Sequence, residues 1–270
     1  MNDIAKYAAR IRGKVIQLSH QARTPHLGSS LSCVDIMVAL YRNHLRIDAN
    51  NAQDPERDRF FLSKGHAVTT LYSILAEEGF FPESELDQTY AIPGSRLPEH
   101  PNRNCVPGIE ASTGSLGHGL GLATGVALGN RIKNLDSNTY ALLSDGECNE
   151  GSTWEAAMTA PALKLSRLCA IVDFNKWQAT GRSTEVLSLD PLEEKFHAFG
   201  WETYRIDGHD FGAIEKALGN FPSTSDKPTA IIADTIKGKG ISIMEDDNNW
   251  HYRIPTEDEV TAARKELGLS

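Results

Sequence analysis

The apolar positions of this chain follow two patterns, one typical of helices and one typical of buried strands. From Ile4 to Ala22 apolar side chains recur at steps of four and three, which predicts an amphipathic helix that ends near Pro25. Helix-length patterns then alternate with short apolar runs at 60–63, 142–143, 171–172, 202–206 and 229–233. This alternation predicts an α/β fold, a doubly wound and mostly parallel sheet with helices on both faces.

Local signals mark two helix starts. Ser29 and Ser30 follow a tight turn and are expected to cap a helix over 33–41. Thr256 and Glu259 have the spacing of a capping box, which predicts that the last helix begins there.

Glycine recurs at every fourth position from Gly117 to Gly129, along another predicted helix. A helix face without side chains lets a neighbouring backbone approach closely. An abutting subunit is one candidate for that neighbour.

The centre of the chain predicts a βαβ unit. One apolar run ends at Asp145, a second ends at Asn175, and the segment 152–165 between them has the length and composition of a helix. Because a parallel crossover returns the chain to the same edge of the sheet, both polar side chains should emerge at the carboxyl ends of neighbouring strands.

Two oxygen-bearing side chains at one edge suit a hard cation. Mg2+ takes about six oxygens, usually one or two from the protein and the others from a phosphate-bearing ligand and water. Asp145, Asn175 and a nearby main-chain carbonyl have this character. An Asp-Gly turn after a strand is also common in doubly wound sheets, so the pair by itself leaves an ordinary turn as the alternative.

Composition narrows the class of protein. With 40% hydrophobic and 23% charged residues, the 270-residue chain can bury one substantial core, so 1–270 is expected to be a single domain with an irregular C-terminal segment at 237–270. The net charge of −9 argues against a nucleic-acid or anionic membrane surface. The four cysteines lack zinc spacing, and neither a signal-peptide pattern nor a membrane-length apolar run is visible, so a reducing, cytoplasmic location is expected.

Four of the nine histidines stand in turns or irregular segments, namely His26, His66, His100 and His251. His66 separates a predicted strand from a helix, where main-chain N–H groups attract anions, and His100 is central in a Pro-rich loop over 93–108. A lone loop histidine is often solvated or bonded locally. A neutral imidazole, however, can donate and accept hydrogen bonds, which suits binding vicinal diols and moving their protons. The remaining histidines, at 20, 44, 118, 197 and 209, are interpreted as structural.

The centre of the chain resembles the metal-diphosphate motif of thiamine diphosphate enzymes, and of transketolase in particular. The resemblance lies in the turn Asp145-Gly146-Glu147, the asparagine thirty positions after Asp145, and the Glu-Gly and Trp-Glu-Ala that follow the turn. The whole chain resembles the N-terminal, diphosphate-binding region of that family, and it stops where the family's pyrimidine-binding domain would begin. The resemblance implies the thiamine diphosphate-binding fold and the first subunit of a split, two-chain transketolase.

The resemblance also implies roles for particular residues. Mg2+ would be bound by the side chains of Asp145 and Asn175 and the main-chain carbonyl of Trp177. The cofactor-binding residues would be His66, Gly114, Ser115, Leu116, Asp145, Gly146, Glu147, Asn175 and His251. The residues that bind sugar hydroxyls or move protons would be His26, His100, His251 and, in a proton relay between paired cofactor sites, Glu150. For Glu150, a favourable charge at a helix N-terminus is the alternative.

The chain also departs from the family. Ser144 stands where the motif usually has Gly, and Phe174 where an acidic or amide residue often precedes the metal-binding asparagine. The glutamate that protonates the aminopyrimidine ring and the arginines that hold the substrate phosphate belong to the family's second domain and have no counterpart here.

The implied function is a thiamine diphosphate- and Mg2+-dependent transfer of a two-carbon ketol unit from a ketose phosphate to an aldose. It would require a partner subunit with the pyrimidine-binding and C-terminal domains, in an assembly of two copies of each chain. The alternatives are a 2-oxoacid dehydrogenase alpha-type subunit, a deoxyxylulose phosphate synthase-type subunit and a non-catalytic paralogue. The four-histidine set argues against the first two, because a decarboxylating site has less need for groups that bind diols. Intact Asp145, Asn175 and Glu150 weigh against the third.

Overall fold

A computed structural model of the chain describes residues 3–269. Its central sheet consists of β1 (Arg59–Leu62), β2 (Thr139–Ser144), β3 (Leu168–Phe174), β4 (Glu202–Asp207) and β5 (Thr229–Asp234). These strands lie in the order β1-β2-β3-β5-β4, and every neighbouring pair is parallel. The predicted parallel sheet is confirmed.

Helices connect the strands and cover both faces of the sheet. Between residues 3 and 269 the α-helices are α1 (Asp3–Ala22), α2 (Leu27–Ser32), α3 (Val34–Ala39), α4 (Val68–Glu77), α5 (Glu83–Thr89), α6 (Gly119–Ile132), α7 (Gly151–Ala162), α8 (Ser183–Leu187), α9 (Leu192–Ala198), α10 (Phe211–Gly219) and α11 (Glu257–Glu266). Helical turns of other types lie at Leu40–His44, Gly65–Ala67, Gly146–Asn149 and Asn248–His251. Within this range no helix is long and apolar enough to cross a bilayer.

The central strands are buried on both sides, which explains their continuous apolar runs. Every residue of β2 and of β3 is buried. Successive side chains of β3 enter different cores: Ile171 packs in the cluster that includes α1 and α3, and Val172 packs in the cluster that includes α6 and α7. A parallel sheet covered on both faces requires such strands.

β2, α7 and β3 form the predicted βαβ unit. The register pairs Ser144 with Asp173, so Asp145 and Asn175 follow neighbouring strands at the same edge. The main-chain N–H of Lys176 donates to Oδ2 of Asp145 over 2.9 Å. The prediction that the two polar side chains share one edge of the sheet is confirmed.

The predicted serine caps are wrong. Ser29 and Ser30 lie inside α2, and neither α2 nor α3 has a side-chain cap. The segment folds as helix earlier than predicted because Leu27 and Leu31, four positions apart, are both buried.

The capping box near the C-terminus is present. Oγ1 of Thr256 accepts from the N–H of Glu259 over 3.3 Å, and the Glu259 carboxylate accepts from the N–H of Thr256 over 2.9 Å. In the described part of the segment 237–270, the chain is therefore irregular or turned before Thr256 and helical through α11 after it.

A buried ion pair lies between the carboxyl ends of the strands. Nζ of Lys64, directly after β1, donates to Oδ2 of Asp173 in β3, and both side chains are 0% exposed. Asp173 also accepts from Oγ of Ser32 in α2 over 2.6 Å and from Oγ1 of Thr235 after β5. Burial alone would lower the pKa of Lys64, but the Asp173 carboxylate outweighs it and the pKa is raised. The pair is therefore charged and joins four elements.

We predict that Lys64→Met destabilises the chain by about 3–5 kcal/mol, because it leaves the Asp173 carboxylate buried without a cation. Urea unfolding followed by circular dichroism measures the loss. The matched control is Lys164→Met, which removes a cation whose ion pair with Asp226 is exposed to solvent. Equal shifts in the two variants would show that the buried pair has no special weight.

Candidate active site

A cavity of about 330 Å³ opens at the carboxyl edge of the sheet. Its walls come from the loops after β1, β2 and β3 and from the turn at Asn248–His251. The lining residues are His26, Ser29, His66, His100, Gly114, Leu116, Ser144, Gly146, Asn149, Glu150, Asn175, Trp177, Gln178, Ala179 and His251. The cavity thus brings together most of the residues that the sequence singled out, including the four loop histidines.

Asp145 precedes Gly146, which lines the cavity, but Asp145 is itself buried and does not line it. Its Oδ1 accepts from the N–H of Gly146 over 2.9 Å, and its Oδ2 accepts from Oγ of Ser183 over 2.7 Å. Burial raises the pKa of this carboxyl to about 6, although these hydrogen bonds oppose the shift. Nearby, Oδ1 of Asn175 accepts from the N–H of Trp177 over 3.1 Å, which folds the chain into a tight turn beside the carboxylate.

This donor set fits a hard cation that shares its coordination with a phosphate-bearing ligand. In residues 3–269 no group of three His, Cys, Asp or Glu is placed to hold a metal ion. One carboxylate, one amide oxygen and one main-chain carbonyl would leave the remaining oxygens to the ligand and water. A bound cation would also offset the cost of the buried carboxylate of Asp145, which the raised pKa reflects.

The cavity also has features that suit an anion. Nε2 of Gln178 is buried and has no hydrogen-bond partner within the described chain, although Gln178 lines the cavity. A Cβ at Gly146 would lie 3.1 Å from Cγ of Gln178, so glycine leaves the space between them open. An amide donor without an acceptor, beside a backbone that glycine leaves open, is suited to an anionic oxygen.

The four histidines form one cluster around His26. Its ring centroid lies 5.0 Å from that of His251, 5.4 Å from that of His66 and 5.8 Å from that of His100. The N–H of His26 also donates to the main-chain carbonyl of His251 over 2.7 Å, which joins the first turn of the chain to its C-terminal part.

Burial keeps three of these imidazoles neutral. It lowers the pKa of His26 to about 4 and that of His251 to about 3, with nearby His100 and Lys237 adding to the respective shifts. Burial likewise holds the pKa of His66 well below its usual value. At neutral pH these side chains are hydrogen-bonding groups and proton acceptors rather than cations.

Lys237 supplies positive charge behind the histidines, and sequence reasoning did not assign it to the site. Its Nζ donates to Oδ1 of Asn248 over 2.7 Å and lies 3.0 Å from Nδ1 of His251. Burial, assisted by the charge of Lys64, lowers the pKa of Lys237 to about 8. Lys237 and Lys239 form a local basic spot in the sequence that could meet a phosphate, but only the fold shows that the side chain of Lys237 is buried.

The segment 114–116, predicted to bind the cofactor, lies only partly in the cavity. Gly114 and Leu116 line the cavity, and Gly114 has a φ of 134°. A Cβ at Gly114 would approach Cδ2 of His100 to 2.6 Å, so only glycine fits there. Ser115 instead lines a neighbouring groove of about 800 Å³ between α6 and α7.

Glu147 is not at the cavity surface. Its side chain is fully buried and accepts from Oγ of Ser63 and from the N–H of Gly117, the latter over 2.8 Å. The sequence motif places Glu147 next to two site residues, but the helical turn at Gly146–Asn149 directs it inward. Glu147 therefore supports the loops that line the cavity.

Glu150 is exposed at the N-terminus of α7 and lines the cavity. Its side chain does not cap the helix. Its exposed side chain is therefore accessible at this edge of the cavity.

The comparisons with known proteins are consistent along the chain. Residues 4–270 match the family described as transketolase, thiamine diphosphate binding domain. The chain belongs to the transketolase family. Relatives include an apulose-4-phosphate transketolase subunit from Actinobacillus succinogenes and the 6-deoxy-6-sulfo-D-fructose transketolase subunit SqwG of a Clostridium species, each 40% identical over 98% of this chain and 96% of the relative.

Solved transketolases share the fold. The structure of transketolase from Campylobacter jejuni superposes with a TM-score of 0.92 at 30% identity and covers 100% of this chain. The chain spans only 44% of that protein and 42% of transketolase from Leishmania mexicana. The matches confirm the predicted fold and the predicted resemblance to a transketolase subunit that carries the thiamine diphosphate-binding domain.

We predict that affinity for Mg2+ and thiamine diphosphate falls about tenfold between pH 7.5 and pH 5, because protons compete with the cation for a carboxyl whose pKa is about 6. The pKa is raised, so the carboxylate is available above pH 6 and is lost as the pH falls. Calorimetry on the chain assembled with its partner subunit measures the affinity.

Asp145→Ala is the control for this pH dependence. It lacks the titrating carboxylate and should bind weakly at both pH values, with only the weaker dependence of the diphosphate itself. Wild-type affinity that is unchanged at pH 5, or tight binding by Asp145→Ala, would show that this carboxylate is not a cation ligand.

Proposed function

We propose that this chain and a partner subunit catalyse a thiamine diphosphate- and Mg2+-dependent transfer of a two-carbon ketol unit from a ketose with an anionic terminus to an aldose. The observation that carries the proposal is the convergence of four loop histidines on the cavity that Gly146 and Asn175 line, with Asp145 hydrogen bonded to the N–H of Gly146. A cation site alone would serve many thiamine diphosphate enzymes, whereas a cluster of neutral imidazoles suits a substrate rich in hydroxyl groups.

We assign the cofactor to the part of the cavity beside Gly146 and Asn175. Mg2+ would bind Asp145, Asn175 and the carbonyl of Trp177, and the diphosphate would meet His66 and the amide of Gln178. When bound, thiamine diphosphate supplies the electron sink for cleavage of the carbon–carbon bond beside the ketose carbonyl. The protein's contribution is placement and exclusion of water.

The histidines would handle the sugar. Because burial keeps His26 and His251 neutral, each can accept a hydrogen bond from a sugar hydroxyl or donate one to a carbonyl oxygen. His100 completes the cluster opposite Gly114. Lys237, hydrogen bonded beside His251, would hold that imidazole in place and offset negative charge on the diphosphate.

Two named relatives indicate the substrate class. One acts on apulose-4-phosphate and the other on 6-deoxy-6-sulfo-D-fructose, so the sugars differ but each carries an anionic group. We assign recognition of the ketol end to this chain and recognition of the anionic end to the partner subunit.

The groove beside the cavity would receive that partner. It has a volume of about 800 Å³ and includes Ser115, Glu155 and the N-terminal half of α6. A Cβ added at Gly121, Gly125 or Gly129 would meet no described atom within 4 Å, so this face of α6 is open to another backbone. We propose an assembly of two copies of each chain, with the partner's pyrimidine-binding domain closing the cavity.

We predict that His100→Ala and His251→Ala raise KM for the ketose or lower kcat by at least tenfold, with a much smaller loss of affinity for the cofactor, which His251 is also expected to contact. Steady-state kinetics and calorimetry on the assembled enzyme separate the two effects. His197→Ala, which alters an exposed histidine on α9, is the matched control and should behave as wild type. An equal loss of cofactor affinity would move the two histidines to the diphosphate-binding set.

We further predict that the chain alone is inactive and that activity returns with a partner that supplies the pyrimidine-binding domain. Each protein is purified, and transfer from phosphorylated and sulfonated ketoses to an aldose is measured separately and together. Turnover by the single chain would refute the two-chain proposal. Cofactor binding without turnover in the assembled complex would favour a non-catalytic paralogue.

A further inference from the structure

We propose that Trp177, Arg182 and Asp246 form a clamp that holds the cation-binding loop in its binding geometry, so that these three side chains are positioning residues for the metal and cofactor. The inference rests on the proposed function and adds a role for the side chain of Trp177, whose carbonyl alone was assigned to the metal. Residues 176–183 form the metal loop, and residues 244–251 form the C-terminal strap.

The metal loop is a small hairpin whose two ends both contact Asp145. The N–H of Lys176 donates to Oδ2 of Asp145 over 2.9 Å, and Oγ of Ser183 donates to the same oxygen over 2.7 Å. Across the hairpin, Trp177 and Arg182 form an antiparallel bridge. A shift of the hairpin would therefore displace the carbonyl of Trp177 relative to the carboxylate.

The clamp joins this hairpin to the strap. The guanidinium carbon of Arg182 lies 3.8 Å from the centroid of the Trp177 ring. Arg182 donates two hydrogen bonds of 2.6 Å to the carboxylate of Asp246, and Nε1 of Trp177 donates to the same carboxylate over 2.8 Å. The stacked pair thus meets one acceptor with three N–H groups, which fixes its direction as well as its distance.

The strap contains His251, which lines the cavity, and it is hydrogen bonded to Lys237. The N–H of Asp246 donates to the carbonyl of Lys237 over 2.8 Å, and Nζ of Lys237 contacts His251. A second link runs from Nδ2 of Asn248 to the carbonyl of Ala179 in the metal loop, over 3.2 Å. The clamp therefore couples the cation-binding carbonyl to the histidine that would bind the sugar.

Backbone conformation shows that the two segments are held in place. Lys176 has a φ of 71° and Asp246 a φ of 58°, so one residue on each side of the clamp occupies the left-handed region. Non-glycine residues persist there when the surrounding contacts determine them. The three-residue clamp supplies those contacts on the solvent side of the loop.

The clamp is too exposed to be a major support of the whole fold. The side chain of Arg182 is 33% exposed and that of Asp246 is 53% exposed. Ion pairs at such exposure contribute little to global stability. Their loss should loosen the metal loop and leave unfolding of the domain nearly unchanged, which separates positioning from a general structural role.

Trypsin measures the loop directly, because Lys176 and Arg182 are cleavage sites within it. The full chain is digested with trypsin without cofactor, and fragments ending at these residues are timed by mass spectrometry. Asp246→Ala keeps both sites and should be cut there at least fivefold faster than wild type, with an unchanged melting temperature. Asp226→Ala, which breaks an exposed pair with Lys164, is the matched control and should match wild type.

Cofactor binding supplies the second measurement. In the assembled enzyme, Asp246→Ala and Trp177→Leu should raise Kd for thiamine diphosphate with Mg2+ at least fivefold. For Asp246→Ala, whose side chain lies outside the cavity, kcat at saturating cofactor should stay within twofold of wild type. Trp177→Phe keeps the aromatic face for Arg182 and should recover part of the affinity. A loss of kcat that saturating cofactor does not restore would contradict a positioning role.

The clamp proposal fails if Asp246→Ala and Asp226→Ala show the same cleavage rate in the metal loop and the same Kd. Failure of the proposed function is a separate result, in which the wild-type complex does not bind the cofactor. In that case the trypsin comparison on the free chain still decides whether the clamp holds the loop.

Discussion

The candidate site depends on one buried charge pair, Lys64 with Asp173, because a fully buried carboxylate at the carboxyl end of a covered parallel strand cannot stay ionised without a cation. The pair fixes more than β1 against β3. Ser32 and Thr235 also donate to Asp173. Ser32 follows His26 in the chain by six residues, and Thr235 precedes Lys237 by two. Helix α2 and the segments that follow β1 and β5 are thereby anchored to one carboxylate of β3.

Burial then sets the chemistry above that pair. The same low-dielectric surroundings raise the pKa of Asp145 and lower the pKa values of His26 and His251. The neutral imidazoles of His26 and His251 provide no positive charge to stabilise the ionised carboxylate of Asp145. A bound divalent cation would provide that positive charge and favour the ionised carboxylate. The neutral imidazoles would not compete with the cation for the anionic diphosphate.

Features that depend on neighbouring residues in the sequence were predictable, and features that depend on distant contacts were not. The alternation of strands and helices, and the shared edge of Asp145 and Asn175, follow from local periodicity and from the geometry of a βαβ unit. Lys64 meets a residue 109 positions away, and nothing near it in the sequence shows that pairing. For Glu147, the motif gives its neighbours along the chain but not the direction of its side chain, which the helical turn at Gly146–Asn149 buries completely.

The division of the site explains how similar chains can serve different sugars. The described residues at the cavity suit the ketol end of a substrate, which all ketoses share, through neutral hydrogen-bonding groups and one buried lysine. The anionic end differs between substrates and needs its own binding groups. It is a phosphate in the sugar named for one relative and a sulfonate in the sugar named for the other. If those groups are on the partner subunit, substrate preference can change there while Asp145, Asn175 and the histidine cluster stay as they are. A clamp that holds the metal loop from within this chain fits the same division, because it stabilises the constant half of the site without contact with the variable one.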